Sequence, residues 1–568
     1  MLSLFRLLIL LSLFSLVQSL FCAPLKTISI DELKRGMTGY GLTVMSGREP
    51  IKFKVEVVDV LRNFGGPKRN AFLVRMIGEE VERTRVASGM SGSPIYINER
   101  LAGALAFAWP FGAEPIGGVT PIDEMLAEGK RKVPAIDHQQ EISWPPAQHG
   151  NKEKKVALPL ACSGFSELGL KEMERLLGPC GFVPQHGGGQ GKIPGGLKPL
   201  GRPLRGGDAV GVQLIRGDMS ATAVGTVTCI LGKRILAFGH SFFDAGFWNA
   251  PMCAAEVNHV LASQYLSFKI ATPLEEVGSL ILDRPPAIVG ESGLRSKMAR
   301  VTINCENSRS KRKHSYELEV IRHRFLTGRF VAVALQNVLN DVEGTQEPLT
   351  LHTEFKVKLD KQKPFKLKSR TFTDGGGPLD IEVAMSLLSI LNNSFAPVSL
   401  VELEANVTIY PQVRPYALKS AVLCKRSVRQ GESFPLRVEF ERYGGKKYFK
   451  IINLQVPKDH PVGRATFRLG SGSSLRREEP RAQSVEDLIA QASRKYLSSE
   501  LIARLRLPYM GMGLKGRRYA RLPGLAFELL ENDGTTKVTD IHDEIFAMPW
   551  ILQGDKSISI QVKRRLRP

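Results

Sequence analysis

The sequence predicts a mainly-β fold, and three observations predict it. Glycine and proline are abundant, at 54 and 34 of 568 residues, while aromatic residues make up only 7%; such a chain turns often and forms short strands rather than long helices. Several runs alternate apolar and polar residues with period two, most clearly "IKFKVEVVDVL" at 51–61, which lets a strand bury one face. Turn residues punctuate the chain at short intervals. The length provides for roughly three to four domains, arranged as barrel-like and sandwich-like β units with a small α+β end.

The elements follow in order. Residues 2–18, "LSLFRLLILLSLFSLVQ", form a short apolar run broken by Arg6, with small residues before a cleavage point at Ser19. This reads as a signal peptide over 1–19, with an uncleaved membrane anchor as the alternative reading. Residues 24–130 form a first segment: "GMTGYGLTVM", the run at 51–61, "AFLVRMI" at 71–77, a hairpin within "SGMSGSPIYINERLAGALAF" at 88–107, and a short helix at 121–129. The polar, Pro-containing stretch 131–156 reads as a linker.

A second segment covers 157–300. It contains a helix at about 165–177 stopped by Gly178-Pro179, a Gly-rich loop at 186–207, and the strand-like "AVGVQLIRG" and "ATAVGTVTCILGKRILAFGHSFF". Residues 301–420 are β-rich. Residues 421–475 have the strand spacing of a small immunoglobulin-like sandwich. In 484–568, "SVED" at 484–487 is a helix-capping box for a helix expected to reach about Arg504, and "SISIQVKRR" at 557–565 is a final strand.

The formal charge is +22. Basic clusters fall at 311–323, 515–521 and 563–567, but no helix-turn-helix, zinc-finger or RNA-binding signature accompanies them. Solvated surface explains most of these charges, nucleic acid is not an expected partner, and peripheral association with an anionic envelope surface is compatible with them. Seven cysteines, none in a CxxC pair, exclude the usual zinc and redox motifs. Cys162 and Cys180 flank the 165–177 helix and are open to pairing or to remaining free.

The stretch 88–94, "SGMSGSP", has the residues a serine nucleophile needs. Small neighbours permit a tight turn that projects the Oγ and leaves N–H groups free for a developing oxyanion. The other reading is a glycine-rich bend between strands. A base would be His240, at the end of an apolar strand after Gly239, with a satisfied structural histidine as the alternative. His259, in "AAEVNHVL", lacks that setting.

The arrangement Gly89-Met90-Ser91-Gly92-Ser93-Pro94 is similar to the nucleophile loop of chymotrypsin-like peptidases, with Met90 where an acid is common. That likeness implies an oxyanion hole from the Gly89 and Ser91 amides. "GMSGSPI", "GTVTCILGKRILAFGH" at 225–240 and "LKRGMTGYGLTVMSGREPIKFKVEVVDV" at 33–60 together resemble the SpoIVB serine peptidase family over roughly 26–130 and 205–300. The resemblance implies a chymotrypsin-like β-barrel assembled from the two segments and a serine endopeptidase acting on protein or peptide substrates without metal or cofactor. It implies Ser91 as nucleophile and His240 as base, in an exported protein of the periplasm or envelope.

There are two departures from the family. Its histidine segment precedes its serine segment, so this domain reads as circularly permuted. Its acid is absent from the matching segment 74–80, leaving Asp218 and Asp244 as candidates. The alternative function is a non-catalytic exported scaffold or surface-binding protein that retains the peptidase fold.

Overall fold

The computed structural model describes residues 25–109, 111–133, 158–189, 199–343, 348–374, 382–442, 444–514, 517–530 and 535–565. The expected signal peptide and nearly all of the linker lie outside the described residues. Strands hold 52% of the chain and helices 15%, so the fold is mainly β.

The first segment closes a barrel without help from the second. Its strands are β1 (Thr38–Thr43), β2 (Ile51–Leu61), β3 (Ala71–Ile77), β4 (Pro94–Ile97), β5 (Arg100–Phe107) and β6 (Ile116–Pro121), paired in the order β1-β2-β3-β6-β5-β4 with β4 returning to β1. The alternation read at 51–61 carries the barrel: Phe53, Val55 and Val57 face the core, while Lys52 and Lys54 face out. Each buried large aliphatic or aromatic side chain of this kind contributes on the order of 2 kcal/mol. The expectation of one barrel built from both segments is therefore corrected, because the six strands close the barrel by pairing with one another within 38–121.

The second segment supplies β7 (Leu158–Ser163), β8 (Phe182–His186), β9 (Ala209–Gly217), β10 (Ser220–Leu231), β11 (Arg234–Ala237), β12 (Gly246–Leu261), β13 (Phe268–Arg284) and β14 (Ala287–Ser292). They belong to a 13-stranded sheet in which β9-β12-β13-β14-β11-β10 run in sequence and β10 also pairs with β9. These pairings complete a circuit of six strands, a second ring beside the first barrel. Leu101, Ala104, Ile122 and Met125 of the first unit pack on Leu236, Ile281 and Val289 of the second in one shared apolar cluster.

Beyond β9 the sheet continues through Lys313–Ile321, Met298–Asn307, Leu400–Pro411, Leu349–Leu359 and Phe365–Thr373. The helices Thr327–Glu343 and Glu382–Leu391 pack on this extension. The first of them lies in a stretch expected to be strand-rich. Its Val331, Val333 and Val338 are buried in the core, and that burial outweighs the mild helix penalty of β-branched residues.

The C-terminal sandwich is larger than expected. A four-stranded sheet (Lys447–Gln455, Ser433–Arg442, Tyr416–Leu423, Leu552–Gln553) faces a sheet built on Asp555–Lys563, Gly463–Ser471 and Glu500–Leu514. One core joins Leu418, Phe434 and Phe467 to Leu501, Leu505 and Val562, so residues 421–475 do not close a sandwich alone. The capped helix begins as read, with Ser484 Oγ accepting from Asp487 N at 3.0 Å, but it spans only Val485–Ser493. Residues 500–514 instead pair with 467–471 and with 535–547. Cys162, Cys180, Cys229, Cys253, Cys305 and Cys424 are free thiols.

Candidate functional site: the Ser91 turn and the His240 strand end

The turn 88–93 is buried throughout. Gly89 and Gly92 sit at φ of +96° and +95°, a conformation that disfavours a Cβ. A Cβ on Gly92 would fall 2.0 Å from Thr226 O and 2.5 Å from Phe238 N. The serine turn is thus pressed, backbone to backbone, on β10 and on the residue two before His240.

Strand β10 holds this turn at three points. Thr226 N donates to Ser91 O at 2.8 Å, Thr226 Oγ1 to Gly89 O at 2.9 Å, and Thr228 Oγ1 to Gly92 O at 2.8 Å. Within the turn, Met90 N donates to Ala87 O and Ser93 N to Met90 O, while Gly92 N reaches Leu105 O on β5. The N–H groups of Gly89 and Ser91 donate no hydrogen bond among the described residues, as an oxyanion hole requires. Met90 is fully buried in the barrel core. An acid at that position would be a desolvated charge, which accounts for the departure from the chymotrypsin-like pattern.

His240 stands just after β11. Thr120 Oγ1 of the first barrel donates to Gly239 O at 2.6 Å. A Cβ on Gly239 would lie 3.1 Å from Ala104 Cβ, so this strand end is seated on β5. His240 Nδ1 lies 2.9 Å from Ser241 O. A carbonyl only accepts, so Nδ1 carries a proton in this contact, and the other ring nitrogen is Nε2.

Ser91 is 0% exposed and His240 2%. Ser91 Oγ has no hydrogen-bond partner among the described residues, and the same holds for the buried hydroxyls of Ser88 and Ser93. The two units bring the serine and histidine segments together without a Ser–His hydrogen bond. The serine expected to stand proud of its backbone is enclosed instead.

The two candidate acids lie elsewhere. Asp218 is exposed in the β9–β10 turn, where its Oδ2 accepts from Glu317 N at 2.8 Å. It is eight residues from Thr226 along an extended strand, roughly 25 Å away. Asp244 is exposed at φ +57°, on the surface of the turn after His240. The carboxylate that serves this turn is Asp283, fully buried at the end of β13. It accepts from Phe242 N and Phe243 N at 2.6 Å each and from Ala245 N at 3.0 Å. Its sequence signal was an acid closing the apolar run "SLILD" before Pro285-Pro286.

Lys269 was also hidden. It lies on β13 with the side chain buried, Nζ bonded to Thr43 Oγ1 at 2.8 Å and to Thr226 Oγ1 at 3.4 Å, and its backbone N donates to Ser88 O at 3.0 Å. Burial without a carboxylate partner pulls its amine down to about 7, because the charged form loses its hydration. The thiols are inert by the same physics: burial pushes Cys162, Cys229, Cys253 and Cys305 up to about 12.

No group of three or more His, Cys, Asp or Glu side chains among the described residues is placed to hold a metal ion. No helix among them is long and apolar enough to cross a membrane. Family models, curated proteins and solved structures contain no match to this chain.

Proposed function

We propose that this chain is a serine endopeptidase of the SpoIVB type, with a permuted chymotrypsin-like pair of β units, held in a closed state. The observation that carries the proposal is the backbone contact of Gly92 with Phe238, which joins the serine turn of one six-stranded unit to the histidine end of the next. Ser91 Oγ attacks a peptide carbonyl while His240 Nε2 takes its proton. The Gly89 and Ser91 amides stabilise the oxyanion, and the imidazolium then protonates the leaving amine; water repeats the sequence to release the acyl group. Asp283 positions His240 by fixing the turn that follows it. The apolar run at 2–18 supports export to the periplasm or envelope, and the substrate class is protein.

The full burial of Ser91 favours the second reading, a non-catalytic exported scaffold that keeps the peptidase architecture. A fluorophosphonate probe separates the two. The wild type, Ser91→Ala and His240→Ala are labelled in buffer and across a sub-denaturing urea series. Labelling of the wild type that both substitutions remove supports the peptidase. Absence of Ser91-dependent labelling at every urea concentration that preserves the fold leaves the scaffold.

A further inference from the structure

The C-terminal sandwich carries a cleft of about 820 Å³ on the outer face of its larger sheet. Its floor is the strand Gly463–Ser471, whose Ala465, Phe467 and Leu469 face the core while Arg464, Thr466 and Arg468 face out. Arg504 and Arg506 enter from the neighbouring strand and Arg476 from the loop after Ser471. Arg468 is paired directly with Arg504 across the ladder, an arrangement of like charges that a sheet ordinarily avoids.

Three carboxylates answer these arginines. Glu478 bonds Arg504 and Arg506, Asp543 bonds Arg504, and Asp555 bonds Arg468. Arg464 and Arg476 are exposed and make no ion pair among the described residues. Positive charge therefore remains in surplus. The free guanidinium forks are suited to planar oxyanions, which they bind bidentately.

The rest of the lining selects among anions. Val462 stands exposed at the rim, an apolar surface that a bare polyphosphate would not use, while Leu475 and Leu507 lie behind the lining in the core. No Phe, Tyr or Trp lines the cleft, and its one ring, His460, is buried with Nδ1 2.7 Å from Pro461 O, so nucleic acid finds little platform for base stacking. Ser473, Ser474 and Ser557 add hydroxyl donors. The volume lies in the range of pockets that enclose a ligand rather than a single ion.

We propose that this cleft binds an extended acidic peptide, in which carboxylate side chains meet Arg464 and Arg476 and an intervening apolar side chain meets Val462. The cleft is separate from the Ser91 turn, and its occupation does not depend on peptidase activity.

The test is fluorescence anisotropy of a labelled peptide of alternating Glu and Val with the full chain, beside the same peptide carrying Gln for Glu. Inorganic phosphate, polyphosphate and single-stranded DNA serve as competitors. The acidic peptide should bind with an affinity that falls as salt rises, and the Gln peptide should bind at least tenfold more weakly. Arg464→Glu with Arg476→Glu should also weaken binding at least tenfold, while circular dichroism and the urea midpoint stay unchanged, since both side chains are exposed. Arg464→Gln with Arg476→Gln gives a milder form of the same loss. Equal binding of both peptides, binding unchanged in the arginine variants, no binding, or tighter binding of polyphosphate or DNA than of the peptide would each overturn the proposal.

Discussion

Lys269 lies across Gly89: a Cβ on that glycine would meet the lysine's Cδ, Cγ and Cβ at 3.0, 3.1 and 3.2 Å. Its amine holds Thr226, and the Thr226 hydroxyl holds the Gly89 carbonyl. A buried amine thus supports the turn that carries Ser91. With the folded group lowered to about 7 and the unfolded one near 10.4, the unfolded chain binds one more proton between those values. Stability therefore rises with pH from about 7 to about 10, and below 7 the full cost of burying the charge is felt. Lys269→Met should flatten this rise and should gain most, on the order of a few kcal/mol, at the acid end. Urea titrations of both proteins from pH 6 to pH 10 measure the difference; parallel curves would refute it.

Gly92 and Gly89 should differ in their tolerance of alanine. At Gly92 the new carbon meets backbone at 2.0 Å, whereas at Gly89 it meets flexible methylenes at 3.0 Å, and both have positive φ. Gly92→Ala should cost roughly 3 kcal/mol or more and Gly89→Ala roughly 1–2. The order of the two urea midpoints checks this.

Asp283 should matter more than either acid expected from the sequence. Asp283→Ala leaves three buried amides without their acceptor, a loss of roughly 3 kcal/mol or more. Asp218→Asn and Asp244→Asn should stay within about 0.5 kcal/mol of the parent, as exposed sites do. If the serine labels, Asp283→Asn should slow labelling by at least tenfold while Asp218→Asn and Asp244→Asn leave it unchanged. Thermal melts and labelling rates on the same preparations test both statements.

His323 should act as an acid-sensitive point. Its Nδ1 accepts from Phe325 N and Leu326 N at 3.2 Å each, its ring packs against Trp248, and burial, aided by Arg329, lowers it to about 4. Between about 6.5 and 4 the unfolded chain takes a proton that the folded chain refuses. Stability should fall by up to about 1.4 kcal/mol per pH unit in that window. His323→Asn should remove that part of the slope, as read by urea midpoints at pH 7 and pH 5.

What the sequence disclosed was local. Phe53, Val55 and Val57 announce a half-buried strand, Ser484 announces a cap, and the glycines around Ser91 announce a tight turn. The undisclosed parts depend on contacts between distant segments. Nothing near residue 500 indicates that Glu500–Leu514 will find partners at 467–471 and 535–547, so the cap at Ser484 alone suggests a helix reaching Arg504. Asp283 and Lys269 are 43 and 29 residues from His240, on strands that read as ordinary β. Only the fold turns one carboxylate under the His240 turn and lays the amine across Gly89.

The first ring is complete within residues 38–121 and the second within 209–292. Ser91 and His240 are therefore carried by two consecutive units, each of which closes its ring with its own strands, joined by backbone bridges at Gly47–Val257 and Ser88–Phe268. Covalent continuity between them is dispensable for forming either one. Two separately expressed pieces divided between 134 and 157 should reconstitute the Ser91–His240 junction by docking through the Leu101–Leu236 cluster. Fragment complementation would then convert a contact inside one molecule into a dissociation constant.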